Sequence, residues 1–412
     1  MKTGKLLSAC MMVKNEAHNI ERCLSSIKGL VDEIVVVDTG STDGTVEIAK
    51  KFGARIYHHP WQNDFSLHRN QSLNYATCKW VFIIDADEEF CLVNGHRHGE
   101  VRDLLSKIDG KFPASALTLK DIQKGREVMQ FNSTRFFKRG KVHYEGIVHN
   151  QPQVDGSAVF NPYAYLKHYG YDLNPEQKKA KFERTKNLLL KQVEAGNLVD
   201  GLPYFYLCQL FAEYKDTAPA VGWGEKYWDM YERGEIKDKN FHDGIYFSMA
   251  KQYMKLGDQK KAYEWLLRGV DKKPGDLDLA MVAIEYGVWT NNTDLTLNAA
   301  KDYLKIYTSY EKDPGGINSK NFTFTLRPEV KATAQFYLVL LHLKQGMLSL
   351  KDLIGNLSTL PKPFMDGMLN DLSDQLKSTG LPISFASPKS QEQPITKQGV
   401  QNKPEFTTMS VH

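Results

Sequence analysis

Between positions 6 and 58 short apolar runs alternate with segments of helical spacing, 6–12, 20–27, 33–37, 46–52 and 55–58, which is the βαβαβ order of a parallel sheet covered by helices. The run Glu33-Ile34-Val35-Val36-Val37 is apolar after its first residue and β-branched, as a strand buried on both faces requires. A helix at 66–76 leads to a strand at 80–84, so the expected fold class is α/β, a doubly wound, mostly parallel sheet. Strand-like runs at 116–118, 127–131, 135–137, 142–144 and 163–168, separated by Gly, Asn and Lys turns, are expected to extend that sheet.

After Asp172 the pattern turns helical, beginning at 176–194, and few strand candidates follow. The series Ala250, Tyr253, Gly257, Ala262, Leu266, Gly269, Pro274 has the spacing of a tetratricopeptide unit, in which small residues let two antiparallel helices touch and a proline ends the second. Helical pairs at 203–232, 276–310 and 331–360 read as degenerate neighbours, consistent with a period of about 34 residues. From 387 the chain is rich in Ser, Gln, Lys and Pro, a composition too apolar-poor to offset its ordering entropy. The expected organisation is therefore an α/β domain at 1–172, an all-α repeat region at 173–386 and a disordered tail at 387–412.

Composition narrows the class. The 412 residues are 42% hydrophobic and 25% charged, a globular balance that excludes disordered and collagen-like chains. No apolar stretch approaches the ~20 residues of a membrane span. Leu7-Ser8-Ala9-Cys10 mimics a lipidation box, but the apolar run before it is too short for a signal core, and the segment reads as a buried strand. Cys10, Cys23, Cys78, Cys91 and Cys208 form no CxxC, which points away from zinc and disulfide frameworks and toward a reducing cytoplasm. With 53 basic and 49 acidic residues the net charge is +4, giving nucleic acid no support as an obligate partner.

Ligands of open α/β sheets bind outside the carboxyl ends of the strands. Three polar segments follow strands there: Val13-Lys14-Asn15-Glu16, Asp38-Thr39-Gly40-Ser41-Thr42-Asp43-Gly44 and Asp85-Ala86-Asp87-Glu88-Glu89. Asp85 and Asp87 alternate along an extended segment, so both can reach one hard cation or its water shell, and Mg²⁺ or Mn²⁺ takes such oxygens while leaving positions for phosphates. A solvated acidic turn is the bland reading, and its place after a buried strand argues against it. Thr42 or Asp43 accounts for a helix cap; Asp38, at a strand tip, needs a donor such as a nucleobase or ribose to offset its desolvation. Arg69 is a natural fork for a diphosphate or base carbonyl. His149 and His168 are candidate metal ligands or phosphate donors, though a lone histidine is more often structural, and His68, His96 and His98 read as structural or exposed.

Together MMVKNEAHNIERCLSSI, DEIVVVDTGSTDGTVEIAKKFGA, WQNDFSLHRN, FIIDADEEF, RFFKRGKVHYEGIVHN and HYGY resemble the family two glycosyltransferases of the GT-A fold, over roughly 1–175. The appended helices resemble those of the peptide S-glycosyltransferases of glycocin biosynthesis, with a lipopolysaccharide-core glucosyltransferase class as a shorter cousin. The resemblance implies that Val13, Asn15 and Glu16 line the nucleotide pocket, that Asp38 binds uracil or ribose, and that Arg69 contacts base or diphosphate. It gives Asp85 and Asp87 as the DxD holding Mn²⁺ or Mg²⁺ on the donor diphosphate, with Asp85 also touching the nucleotide sugar and His149 as a diphosphate or metal contact. Relatives commonly read His-Glu where this chain has His149-Asn150, a departure that weakens the case for an acid-base role there.

The implied activity is one-step, inverting, metal-dependent transfer of a sugar, a hexose such as glucose from UDP-glucose, to a large peptide or protein acceptor gripped by the repeats. Glu145 and Glu89 are the candidate bases. The rivals are a transferase acting on a glycolipid core or modified DNA bases, which calls for a concentrated basic face that the sequence lacks, and a non-catalytic repeat scaffold, against which Asp38, Arg69, Asp85 and Asp87 stand. The repeats also offer a surface for a homodimer.

Overall fold

The computed structural model describes residues 5–171, 173–196, 201–236, 244–312 and 328–344. In chain order the first half runs β1 (Leu7–Val13), α1 (Ile20–Ser26), β2 (Glu33–Asp38), α2 (Thr45–Lys51), β3 (Arg55–His58), α3 (Phe65–Tyr75), β4 (Trp80–Ile83), β5 (Glu88–Leu92), α4 (His98–Ile108), β6 (Ala114–Gln123), β7 (Arg126–Lys138), β8 (Val142–Glu145), β9 (Gln151–Val154) and β10 (Ala158–His168). Helices follow: α5 (Pro175–Glu194), α6 (Leu202–Glu213), α7 (Thr217–Glu232), α8 (Gly244–Leu256), α9 (Gln259–Lys272), α10 (Leu277–Trp289), α11 (Thr293–Lys312) and α12 (Pro328–Lys344).

Eight strands form one sheet in the order β3-β2-β1-β4-β7-β6-β10-β5. The four strands of its first half, β3, β2, β1 and β4, are parallel, and β7 runs antiparallel to both its neighbours. The α/β class expected from the sequence is what folds, and Leu7 to Cys10 lie fully or almost fully buried in β1. Val35, Val36 and Val37 have no exposed surface, because α1 and α2 on one side and α3 on the other cover β2 and its neighbours.

Three local differences have physical causes. The runs at 127–131 and 135–137 are one strand, β7, since the polar Asn132-Ser133-Thr134 between them stays paired with β6 instead of turning. The run at 142–144 does not extend the sheet: both edges of β7 are already taken by β4 and β6, and β8 pairs with β9 in a separate hairpin. Glu88–Leu92, read as the tail of an acidic motif, is the edge strand β5, paired with β10.

The second half is a succession of helical hairpins, α6 with α7, α8 with α9 and α10 with α11. Helices α8 and α10 begin 33 residues apart, at Gly244 and Leu277, close to the expected repeat. Ala250 and Ala262 are fully buried. Residues 345–360 of the last expected pair, and the tail from 387, lie outside the described residues. Among those described, no helix is long and apolar enough to cross a membrane.

A Cβ at Gly269 would stand 2.8 Å from Tyr246 Cβ and 2.8 Å from Leu279 Cδ2. Leu279 can turn aside, but the Tyr246 Cβ is fixed to its backbone. Gly269→Ala is therefore expected to lower stability by about 1–3 kcal/mol, measured as a fall in the urea midpoint; an unchanged midpoint would show that α9 can move away without cost.

Helices α5 and α6 join the first half. Leu188, Leu189, Leu207 and Leu210 bury themselves with Val148, against Phe65, Ile147 and Phe182. The hydroxyl of Tyr206 takes a bond of 3.0 Å from Gln151 Nε2 on β9.

Candidate functional site

The carboxyl ends of β1, β2 and β4 meet at one edge, where Val13 pairs in register with Asp38 and Asp38 with His58. The two loops there are laced together. Thr39 donates to the Val13 carbonyl through N at 2.9 Å and Oγ1 at 3.1 Å. Asn15 has φ of 57°, a left-handed conformation that asparagine tolerates. That conformation lets its Oδ1 accept from Thr42 N at 2.8 Å while its own N donates to Ser41 Oγ at 3.0 Å. Glu16 N donates to Thr45 Oγ1 at 2.8 Å. Burial, together with Asp87 and Asp85 nearby, raises the Glu16 pKa over the opposing bond from Asn19.

Asp38 is 4% exposed, and the donors its burial demands come partly from the chain itself. Ser41 N at 3.1 Å, Gly40 N at 3.3 Å and His58 Nδ1 at 3.2 Å surround the carboxylate. Burial would raise its pKa, yet these bonds, Ser41 foremost, hold it below the usual range. A nucleobase or ribose at Asp38 would therefore add to donors the chain already supplies. The Val13 side chain is part of the core, leaving its backbone to the loop.

Beyond β4, Arg69 Nη2 reaches Asp85 Oδ1 at 3.0 Å and Oδ2 at 3.4 Å, and Arg135 Nη1 lies 3.7 Å from Asp85 Oδ2. Asp85 is held ionised by these guanidinia against its burial. Arg135 also donates to Glu88 at 2.5 Å, and the other Glu88 oxygen accepts from Asp85 N at 2.9 Å. Glu88 is 1% exposed. Burial and the neighbouring carboxylates push it up, to about 7, although Arg135 pulls the other way.

Asp87 has a different neighbour. His168 Nε2 lies 3.4 Å from Asp87 Oδ2, and its Nδ1 lies 2.6 Å from Asp121, itself 2% exposed. Burial opposes charge on this ring, but Asp121 and Asp87 override it and raise its pKa to about 10. Gly170 closes the arrangement: a Cβ there would stand 2.2 Å from Asp87 Oδ2 and 2.6 Å from His168 Nε2.

The structure thus gathers Asn15, Glu16, Asp38, Arg69, Asp85 and Asp87 at one edge. The imidazole it brings to Asp87 is that of His168. His149 is stacked on Tyr206 with ring centroids 4.2 Å apart, and burial, with Lys181 nearby, lowers its pKa to about 4. Glu145 is exposed at the end of β8 and faces His143 at 3.0 Å. Glu89 accepts from the Tyr169 hydroxyl at 2.6 Å, and strand alternation turns it to the sheet face opposite Glu88. Arg135 and Asp121 are not legible as site residues in the sequence because they join the site only through β7 and β6; the one signal was Arg135 opening the RFFKRGKVHYEGIVHN stretch, while Glu88 stands inside the acidic segment after β4.

Among the described residues no three metal-ligating side chains converge on one point. Asp87 and His168 nevertheless fit a cation that takes few protein ligands and fills its shell with water and phosphate oxygens, as Mg²⁺ and Mn²⁺ do. His168 would take a cation only after Nε2 gives up the proton that Asp87 and Asp121 favour, and Gly170 keeps side-chain bulk away from the spot. Asp85, engaged by two arginines, fits the edge of such a site rather than its centre.

Residues 8–91 match the family model described as Glycosyl transferase family 2. A TPR repeat-containing protein of Synechococcus elongatus is 31% identical over 290 residues, 67% of this chain and 64% of the relative. The SPbeta prophage-derived glycosyltransferase SunS of Bacillus subtilis is 33% identical over 186 residues, 44% of this chain and 43% of the relative. The chain thus spans less than two thirds of the length of these curated relatives. Among solved structures, glucosyl-3-phosphoglycerate synthase from Mycobacterium tuberculosis is 28% identical, covering 30% of this chain and 46% of that one with a TM-score of 0.22.

Proposed function

We propose, from a chain that carries a glycosyl transferase family 2 domain ahead of helical hairpins, that it transfers a sugar from a nucleotide donor to a large acceptor such as a peptide or protein side chain. The observation that carries this reading is the meeting of Asp38, Asp85 and Asp87 at the carboxyl edge of the parallel strands, with Arg69, Arg135 and His168 around them. The donor would lie with its nucleoside against Asn15, Glu16 and Asp38 and its diphosphate toward Asp87. On this assignment residues 1–172 supply the donor chemistry and the hairpins beyond them receive the acceptor.

The acceptor atom attacks the anomeric carbon, the bond from that carbon to the β-phosphate oxygen breaks, and the nucleoside diphosphate leaves with the electron pair. Attack from the face opposite the leaving group inverts the centre. Asp87 and His168 would hold Mn²⁺ or Mg²⁺, which neutralises charge on the departing diphosphate. Arg69 and Arg135 fix Asp85, so the floor of the site is set before the donor arrives. The proton lost by the acceptor passes to a carboxylate. We assign it to Glu145, exposed at the end of β8, because Glu89 is engaged by Tyr169 on the other sheet face.

Glu145→Gln should lower kcat by roughly 10²–10⁴ while Glu89→Gln leaves it within a few-fold; the reverse result would exchange the roles. The reading as a whole is tested by incubating the protein with a panel of nucleotide sugars and Mn²⁺ and following thermal shift and donor hydrolysis. One donor should stabilise the fold and be slowly hydrolysed. A panel in which no nucleotide sugar binds would overturn the reading.

A further inference from the structure

Helix α5 presents two cations toward the donor edge, Lys181 and Arg184. Lys181 and Arg184 stand three residues apart and so share a helix face. Lys181 Nζ donates to the Gly170 carbonyl at 3.3 Å and lies 3.9 Å above the Tyr171 ring. Gly170 is the residue packed against Asp87, so this ammonium sits one residue's width from the Asp87–His168 pair. Arg184 lies with its guanidinium 5.6 Å over the Phe65 ring. Phe65 is one turn before Arg69 on α3, and the carboxylate whose field Arg184 feels is that of Glu16, at the nucleoside end of the edge.

Neither cation forms an ion pair among the described residues, whereas Lys186 on the same helix is paired with Glu183 at 2.6 Å. Burial lowers the pKa of Lys181, with Asp87 and, beyond ion-pair distance, Glu213 and Asp121 pulling the other way. A half-buried ammonium held only by a carbonyl and a ring face is under-satisfied. The edge thus has a floor of carboxylates, Glu16, Asp85 and Asp87, and a facing wall of two cations. A ligand that satisfies both must be anionic, must tolerate a divalent cation on its other side, and must reach from Asp87 to Glu16.

We propose that Lys181 and Arg184 of α5 clamp the diphosphate of the nucleotide donor from the helical side. The proposal rests on the donor reading above and deepens it, because α5 begins after position 172: the donor site then draws on both halves of the chain. Lys181 would meet the phosphate nearer Asp87, and Arg184, with its fork, the phosphate nearer the nucleoside.

The test is calorimetric binding of UDP, inorganic pyrophosphate and uridine, each with Mn²⁺, to the full chain and to a Lys181→Gln/Arg184→Gln double variant. Removing one charge-assisted hydrogen bond at each position should weaken UDP and pyrophosphate at least tenfold per cation and leave uridine unchanged. Since no ion pair is broken, the melting temperature should hold. The charge-keeping Lys181→Arg variant should retain UDP affinity, and Lys179→Gln, on the exposed face, should behave as the parent. UDP affinity within twofold of the parent in a folded double variant overturns the clamp. So does a raised Michaelis constant for the acceptor with UDP binding intact, which would give the two cations to an acidic acceptor. If the parent protein binds neither UDP nor pyrophosphate, the clamp and the donor reading fall together, an outcome distinct from the first two.

Discussion

Asp87→Ala should reduce sugar transfer by three orders of magnitude or more and leave the melting temperature within a degree or two. The carboxylate is in contact with His168 and Gly170 rather than the apolar core, so on the proposed assignment its loss removes the charge facing the diphosphate, and preorganised groups of this kind account for about 10²–10³ each in turnover. The cation that Asp87 would hold on that assignment is lost with it, which brings the expected fall to that level. Gly170→Ala supplies the companion result. Its methyl would stand 2.2 Å from Asp87 Oδ2, so the carboxylate must swing away, and activity should fall nearly as far although every polar group is retained. Steady-state rates across a Mn²⁺ titration check both. Near-parental turnover of Asp87→Ala in excess chelator would remove Asp87 from the reaction.

The second large effect lies at the opposite end of the strands and concerns stability alone. Glu33 is 9% exposed. It accepts from Ser8 Oγ at 2.5 Å, from Thr77 N at 2.8 Å and from Thr77 Oγ1 at 3.0 Å, and it pairs with Arg55. Ser8 in turn takes Cys78 N at 3.1 Å, so one carboxylate ties β1, β2, β3 and the entry to β4. Glu33→Ala leaves the buried Ser8 without its acceptor, while Thr77 and Arg55 can turn to water, and should cost about 1–3 kcal/mol in chemical unfolding, with donor affinity unchanged in what remains folded. Burial alone would raise the Glu33 pKa, but the Ser8, Thr77 and Arg55 bonds hold it below 4.5. A carboxyl whose folded pKa is depressed stabilises fully above its unfolded value and loses that contribution as pH falls through the folded one. The gap between parent and variant should therefore be constant at neutral pH and close in acid; a gap that persisted at pH 2 would place the stabilisation elsewhere.

Local pattern carried most of the first half. Strands buried on both faces announce themselves by unbroken apolar runs such as Val35-Val36-Val37, and the polar residues that follow them mark the edge where Asp38, Asp85 and Asp87 meet. What escaped is what depends on partners distant in sequence. Whether 127–137 is one strand or two turns on β6, which lies on the other side of a hairpin. Which histidine stands at Asp87 turns on the register of β10 against β5, where His168 pairs with Glu88; nothing near His149 or His168 in the sequence distinguishes them. The donors around Asp38 were hidden for the complementary reason, since the amides of Gly40 and Ser41 belong to the same short loop and leave no trace in residue type.

The apolar packing of α5 and α6 on Val148, Phe65 and Ile147 changes what a loss-of-function screen on this chain would report. Leu188, Leu207 and Leu210 are far in sequence from the acidic edge, yet they brace the segment that carries Lys181 and Arg184 and the strand connection that carries Glu145. Substitutions there would score as inactive beside those at Asp87 and would draw a map of an apparent active site spread along the helices. Melting curves separate the two groups, because a shortened leucine lowers the transition by about 2–5 kcal/mol, while a lost carboxylate at the edge leaves it in place. A hybrid that exchanged the hairpins between two such chains would have to be cut after α6 rather than before α5, or it would return a protein whose defect looks chemical and is mechanical.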